Sequence, residues 1–125
     1  RTRTYLEEIA EHLAAFELAE PASVHIRRYD QASCIQLDTH GLRPLAAELL
    51  AWADTVTVDG LEVWRPEHGD SVHIDLCGHL PSFLALRVYG AIAYRPSLFP
   101  DLQPGGRLPL SLTVLRAWAE EGVAA

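Results

Sequence analysis

The chain has 125 residues with 49% hydrophobic content, enough for one compact domain that buries roughly two-thirds of its unfolded surface. A net charge of -7 and a pI near 5.2 argue against nucleic acid and anionic membranes as partners, because both are held mainly by cations. No apolar run approaches the roughly 20 residues that span a bilayer, and the start RTRTYLEEIAEHL is amphipathic and acidic, unlike a secretory signal, so a cytoplasmic location is expected.

The first residue is Arg, which leaves room for a removed leader. Two cysteines, Cys34 and Cys77, are too few for a disulfide framework and lack zinc-finger spacing, so free thiols are expected. All ten basic residues are Arg, and Lys, Asn and Met are absent. Lys and Asn have AT-rich codons, so this composition points to a high-GC bacterium of actinobacterial type.

TYLEEIAEHLAAFELAEP places Leu6, Ile9, Leu13 and Phe16 at helical spacing, with Thr4 and Glu7 as a capping box and Pro21 beyond the end. This predicts a helix over about 5–18. SVHIRRYD and SCIQLDT alternate with period two, which predicts two strands in a hairpin. Setting Ile26 opposite Ile35 matches their apolar faces and puts Asp30 and Gln31 at the tip. The other face then carries His25, Arg27, Tyr29, Cys34, Gln36 and Asp38.

LRPLAAELLAWAD has Pro44 near its start and Leu42, Leu45, Leu49 and Trp52 along one stripe, predicting a second helix over about 43–54. Asp59-Gly60 between alternating runs predicts a tight hairpin, with Val58 facing Leu61 and Val56 facing Val63. After a turn at Gly69-Asp70, SVHIDLCGH alternates again: Val72, Ile74 and Leu76 on one parity, Ser71, His73, Asp75, Cys77 and His79 on the other. SFLALRVYGAIAY forms the next strand, with Leu84, Leu86, Val88 and Ile92 inward. RPSLFPDLQPGGR, with three prolines and two glycines, is an irregular loop pinned by Leu98 and Phe99. A third helix follows, with Pro109 at its start, Leu112, Leu115 and Trp118 inward and Gly122 as its stop.

The expected fold is one α+β domain over residues 1–125, a single antiparallel sheet of five to six strands with three helices in the order α-β-β-α-β-β-β(-β)-α. In element order alone this is similar to small roadblock or profilin-like domains and to some secretion chaperones. Fold does not fix function.

Matching the apolar parities puts Ile74 opposite Leu86, Leu76 opposite Leu84 and Val72 opposite Val88. The polar face then sets His73 beside Arg87, Cys77 beside Phe83, Ser71 beside Tyr89 and Asp75 diagonal to Arg87. Trp64 and Glu62 share that face, with Glu62 near Asp75 or His73. Four readings compete for it. The plain one is a solvated sheet face with Asp75 and Arg87 as a weak surface pair. The second is an association surface, because Arg, Tyr and Trp are the residues enriched at interface hot spots. The third is a metal site at His73, Asp75 and Cys77, where neighbours about 6.6 Å apart can converge on one ion, although the full row with His79 spans about 20 Å. The fourth is acid–base chemistry by Asp75 or Glu62 with His73, which needs a water-poor pocket.

Elsewhere, Glu8 and His12 lack the first His of an inverted zinc motif, PGGR lacks the frame of a phosphate loop, and no GxSxG elbow orders a triad. No cofactor is expected. The leading expectation is a non-catalytic domain that associates with a protein partner or forms a homodimer, through Trp64, His73, Asp75, Arg87, Tyr89, Arg27 and Tyr29. The alternative is a metal or small-ligand site at His73, Asp75 and Cys77.

Overall fold

The computed structural model describes residues 3–28 and 31–120. Helix α1 (Tyr5–Ala15) opens on the expected capping box: Thr4 Oγ1 accepts from the Glu7 N–H, and Glu7 reaches back to the Thr4 N–H. It stops three residues before the expected end. Glu17, at φ 52°, turns the chain left-handed, and the N–H groups of Glu17 and Leu18 bond to the carbonyls of Ala14 and Leu13. This is a Schellman close with Glu in the place Gly usually takes.

Strands β1 (Ser23–His25) and β2 (Ser33–Gln36) form the first hairpin, but Val24, not Ile26, lies opposite Ile35. The cause is Ser33, whose hydroxyl accepts from the Arg27 N–H and donates to the Arg27 carbonyl, replacing the ladder there. Gln31 therefore sits in a longer loop, and Asp30, the other expected tip residue, lies outside the described residues. Helix α2 (Leu42–Ala53) buries Leu42, Leu45, Leu49 and Trp52 as the stripe predicts.

Strand β3 (Thr57–Trp64) runs straight through Asp59-Gly60. The tight turn expected there is a bulge: the register on β4 (Ser71–His79) shifts between Val58 and Gly60, leaving Asp59 as the extra residue. The nine residues of β4 are long enough to pair with both halves of the run, which outweighs the local turn signal. Strand β5 (Ala85–Ala93) pairs with β4 in a register four residues away from the expected one, with Leu76 opposite Val88 and Val72 opposite Ile92. An even slip keeps every side chain on its face. The turn between them, 80–84, is closed by Leu80–Leu84 and Phe83–Leu80 backbone bonds, with Phe83 at φ 70° and 82% exposed. The segment expected to open the last helix instead forms a short strand, β6 (Arg107–Pro109), on β3, and α3 spans Leu112–Glu120.

The sheet order is β1-β2-β5-β4-β3-β6. It is mostly antiparallel, with one correction to expectation: β2 and β5 are parallel. Helix α2 separates the first hairpin from the β3–β4–β5 meander, and two reversals bring β5 back beside β2 in the same direction. Helices α2 and α3 pack together over one face of the sheet, where Ile35, Val63, Val72, Ile74, Leu76, Leu86 and Val88 are buried. At Gly90 the approach is so close that an added Cβ would collide with the Leu45 side chain of α2. Helix α1 joins the same side, with the His12 ring stacked on Trp52 and Glu8 accepting from Ser82. The loop after β5 also lies there: Arg65 donates to the Leu102 carbonyl, and Phe99 meets Trp118 edge-on. Among the described residues, no helix is long and apolar enough to cross a membrane.

Candidate functional site

The opposite face of the sheet carries the polar parity, and the register fixes its rows. Cys34 of β2, Arg87 of β5, Cys77 of β4 and Gly60 of β3 form one row. Gln36, Tyr89, Asp75, Glu62 and Pro109 form the next, and Ala91, His73, Trp64 and Arg107 the one after. Trp64, His73, Asp75, Arg87 and Tyr89 thus share one face. Arg27 follows β1 and donates to Gln31, apart from this cluster. Tyr29 lies outside the described residues.

The cluster is a continuous ladder. Arg107 lies over the Trp64 ring at 5.3 Å, Trp64 meets His73 edge-on at 5.0 Å, and His73 stacks on Tyr89 at 5.8 Å with the planes 3° apart. Arg87 then lies over Tyr89 at 4.6 Å. Each Arg also holds a carboxylate: Arg87 Nε donates to Asp75 Oδ2 at 2.8 Å, and Arg107 Nη1 donates to Glu62 Oε1. The two ends therefore share a chemistry, a guanidinium bridging an aromatic face and an acid. His73 joins them.

Asp75 is only 1% exposed, whereas a carboxylate normally stays in water. Among the described residues its neutralising contact is Arg87, for Oδ1 is buried without a hydrogen-bond partner. Burial works against the Arg87 charge, but the hydrogen bond and charge of Asp75 outweigh it and hold the guanidinium above its ordinary value. Burial pushes the His73 imidazole down, more than the Asp75 charge lifts it, so the ring is neutral at pH 7. Among the described residues its Nδ1 also lacks a hydrogen-bond partner. Burial, with Asp75 and Glu62 nearby, pushes the Cys77 thiol up and keeps it protonated. Among the described residues, His, Cys, Asp and Glu side chains form no group of three or more that could hold a metal ion.

Reading the sequence found the Asp75–Arg87 diagonal and left Glu62 near Asp75 or His73; the register sets Glu62 directly opposite Asp75. It put His73 beside Arg87, where the register instead sets His73 beside Ala91 and Arg87 beside Cys77 and Cys34. It missed Arg107 altogether. That residue follows Gly105-Gly106 in a stretch with loop composition, and a three-residue edge strand leaves no periodicity to detect.

The contacts of this face run from strand to strand, while all three helices and the 96–106 loop make theirs on the other side. Comparison with family models, with curated proteins and with solved structures finds no match to the chain.

Proposed function

We propose that this chain, of a high-GC bacterium by its composition, is a non-catalytic cytoplasmic association domain whose open sheet face docks protein, in the first place a second copy of itself. The observation that carries this reading is the Arg107–Trp64–His73–Tyr89–Arg87 ladder on a face that no described helix overlies. Arg, Trp and Tyr are the side chains that dominate interface energetics when a partner excludes water from them. The ladder is also held rigid by its own stacking, so docking costs little side-chain entropy.

Self-association is favoured over a charged partner by the balance of the face. Its two guanidinium groups are matched by two carboxylates, Asp75 and Glu62, so two copies can meet across a twofold axis without net repulsion. Proton transfer is disfavoured, since Asp75 is engaged by Arg87 and the His73 ring is wedged between two aromatic side chains.

Sedimentation velocity tests the proposal on the wild type and on a Trp64→Ala, Arg107→Glu double variant. Both side chains are partly exposed, and circular dichroism checks that the variant folds. The wild type is expected to dimerise at about tens of micromolar, an affinity near -6 kcal/mol, and the variant to remain monomeric. A wild-type monomer over that range, or a dimer unaffected by the substitutions, overturns the self-association reading.

A further inference from the structure

His73 is the middle rung of the ladder, so a second copy that covers the ladder also covers this ring. Trp64 meets it edge-on at 5.0 Å from one side, and Tyr89 stacks on it at 5.8 Å from the other. Its Nδ1 is buried without a hydrogen-bond partner among the described residues. On its own row and the rows to either side the charged groups are Asp75 of β4, Glu62 of β3 and Arg107 of β6, and Arg87 of β5 reaches Asp75 from one row further. The other titratable side chains beside these are the Tyr89 phenol and the Cys77 thiol, which stays protonated. At the far end of β4, His79 makes a pair of its own, Nδ1 to Asp59 Oδ2 at 2.9 Å.

With the ring neutral, the Asp75 and Glu62 carboxylates cancel the Arg87 and Arg107 guanidinium groups around it. A proton on His73 breaks that match on both copies at once, so that two faces with the same excess positive charge meet. Docking also strips water from the ring, which costs an imidazolium more than an imidazole. The two effects have the same sign. Burial within a single copy already pushes His73 below the ordinary value of 6.5, and a second copy adds to that burial.

We propose that self-association through this face is controlled by protons with His73 as the switch: two copies dock with the ring neutral and separate as it takes up a proton. This control rests on the association described above and adds its regulation. Well above the His range, single and paired copies alike hold a neutral ring, and their affinity does not depend on pH. Below the single-copy value each separated copy holds a proton that the pair excludes, so the pair loosens as the pH falls.

Sedimentation velocity from about pH 7.5 to about pH 5 on the wild type, His73→Phe and His79→Gln tests the switch, with circular dichroism checking that each chain stays folded across the range. Proton NMR of dilute protein gives the pH at which half of the single copies carry a proton on His73. There the wild-type pair is expected to be about fourfold weaker than at pH 7.5, a factor of about two from each copy. His79→Gln is expected to weaken in the same way. His73→Phe keeps a ring between Trp64 and Tyr89 and is expected to show one affinity across the range. Independently of any substitution, the His73 resonances are expected to titrate at a lower pH in concentrated than in dilute protein. A wild-type pair equally tight throughout, a His73→Phe pair that weakens as the wild type does, or a His73 titration indifferent to concentration overturns the proposal and leaves the association standing. A wild-type monomer at pH 7.5 overturns the association itself, and the switch with it.

Discussion

Asp75 is where one residue sets the terms for its neighbours. A carboxylate this buried is tolerable only because Arg87 meets it, and Arg87 is held in turn by the face of Tyr89. Buried pairs of this kind add little net stability, but removing one partner strands the other. Arg87→Ala is therefore expected to cost about 3 kcal/mol, read as a lower denaturation midpoint at unchanged slope. The Asp75→Ala, Arg87→Ala double variant should lose less than Arg87→Ala alone, because no uncompensated charge remains. Equal losses in single and double variants would show that packing, not charge, is what Arg87 supplies. That these two residues share a face was legible in the sequence, because any even register keeps them there. Their separation along the strand was not, since it depends on a turn at 80–84 held by Pro81 and a left-handed Phe83.

At the scale of elements, α1 is attached through a titratable side chain. His12 is 7% exposed, its ring stacks on Trp52 of α2 and lies 4.8 Å from Phe16, and its Nε2 meets Thr55 Oγ1 at 2.8 Å. Thr55 donates its hydroxyl proton to the Trp52 carbonyl, so His12 donates to Thr55 from Nε2. Burial pushes both His12 and His73 below the ordinary His value of 6.5. Above that value folded and unfolded chains alike are neutral at these sites. Below it the unfolded chain binds protons that the folded sites refuse, so stability falls as pH drops from about 6.5 toward the lowered native values. Melting temperature is expected to decline between pH 7.5 and 5.5, a window in which ordinary carboxylates stay ionised. His12→Gln retains an N–H donor and should flatten that decline. An unchanged slope would rule out the coupling of α1 docking to protonation.

The elements themselves were largely readable. Capping residues and apolar stripes marked α1 and α2, and strict alternation marked β4 and β5. The failures share a cause, which is that long-range pairing overrode a local signal. Asp59-Gly60 reads as a turn, but β4 extends past it and converts the extra residue into a bulge whose carboxylate reaches His79. Pro109 reads as a helix start, but it pairs with Glu62 at the sheet edge.

Across the whole molecule, the defining feature is asymmetry. A six-stranded sheet has its helices on one side, and the other side bears an aromatic and arginine ladder with matched charges. Alternation alone revealed that such a face exists. Its composition at the β3–β6 edge, where Arg107 joins Trp64 and Glu62, required the three-dimensional pairing.

The central claim is that this face becomes covered by another copy of the chain. Trp64 is its natural reporter, because Trp52 and Trp118 are buried in the core while Trp64 is only half-buried. Iodide quenching of tryptophan emission, followed from below about 1 µM to about 100 µM protein, measures its accessibility directly, and Trp64→Phe identifies its share of the signal. The expected result is a quenchable Trp64 component at low concentration that becomes protected as concentration rises. A Trp64 component equally quenchable across the whole range would contradict the account.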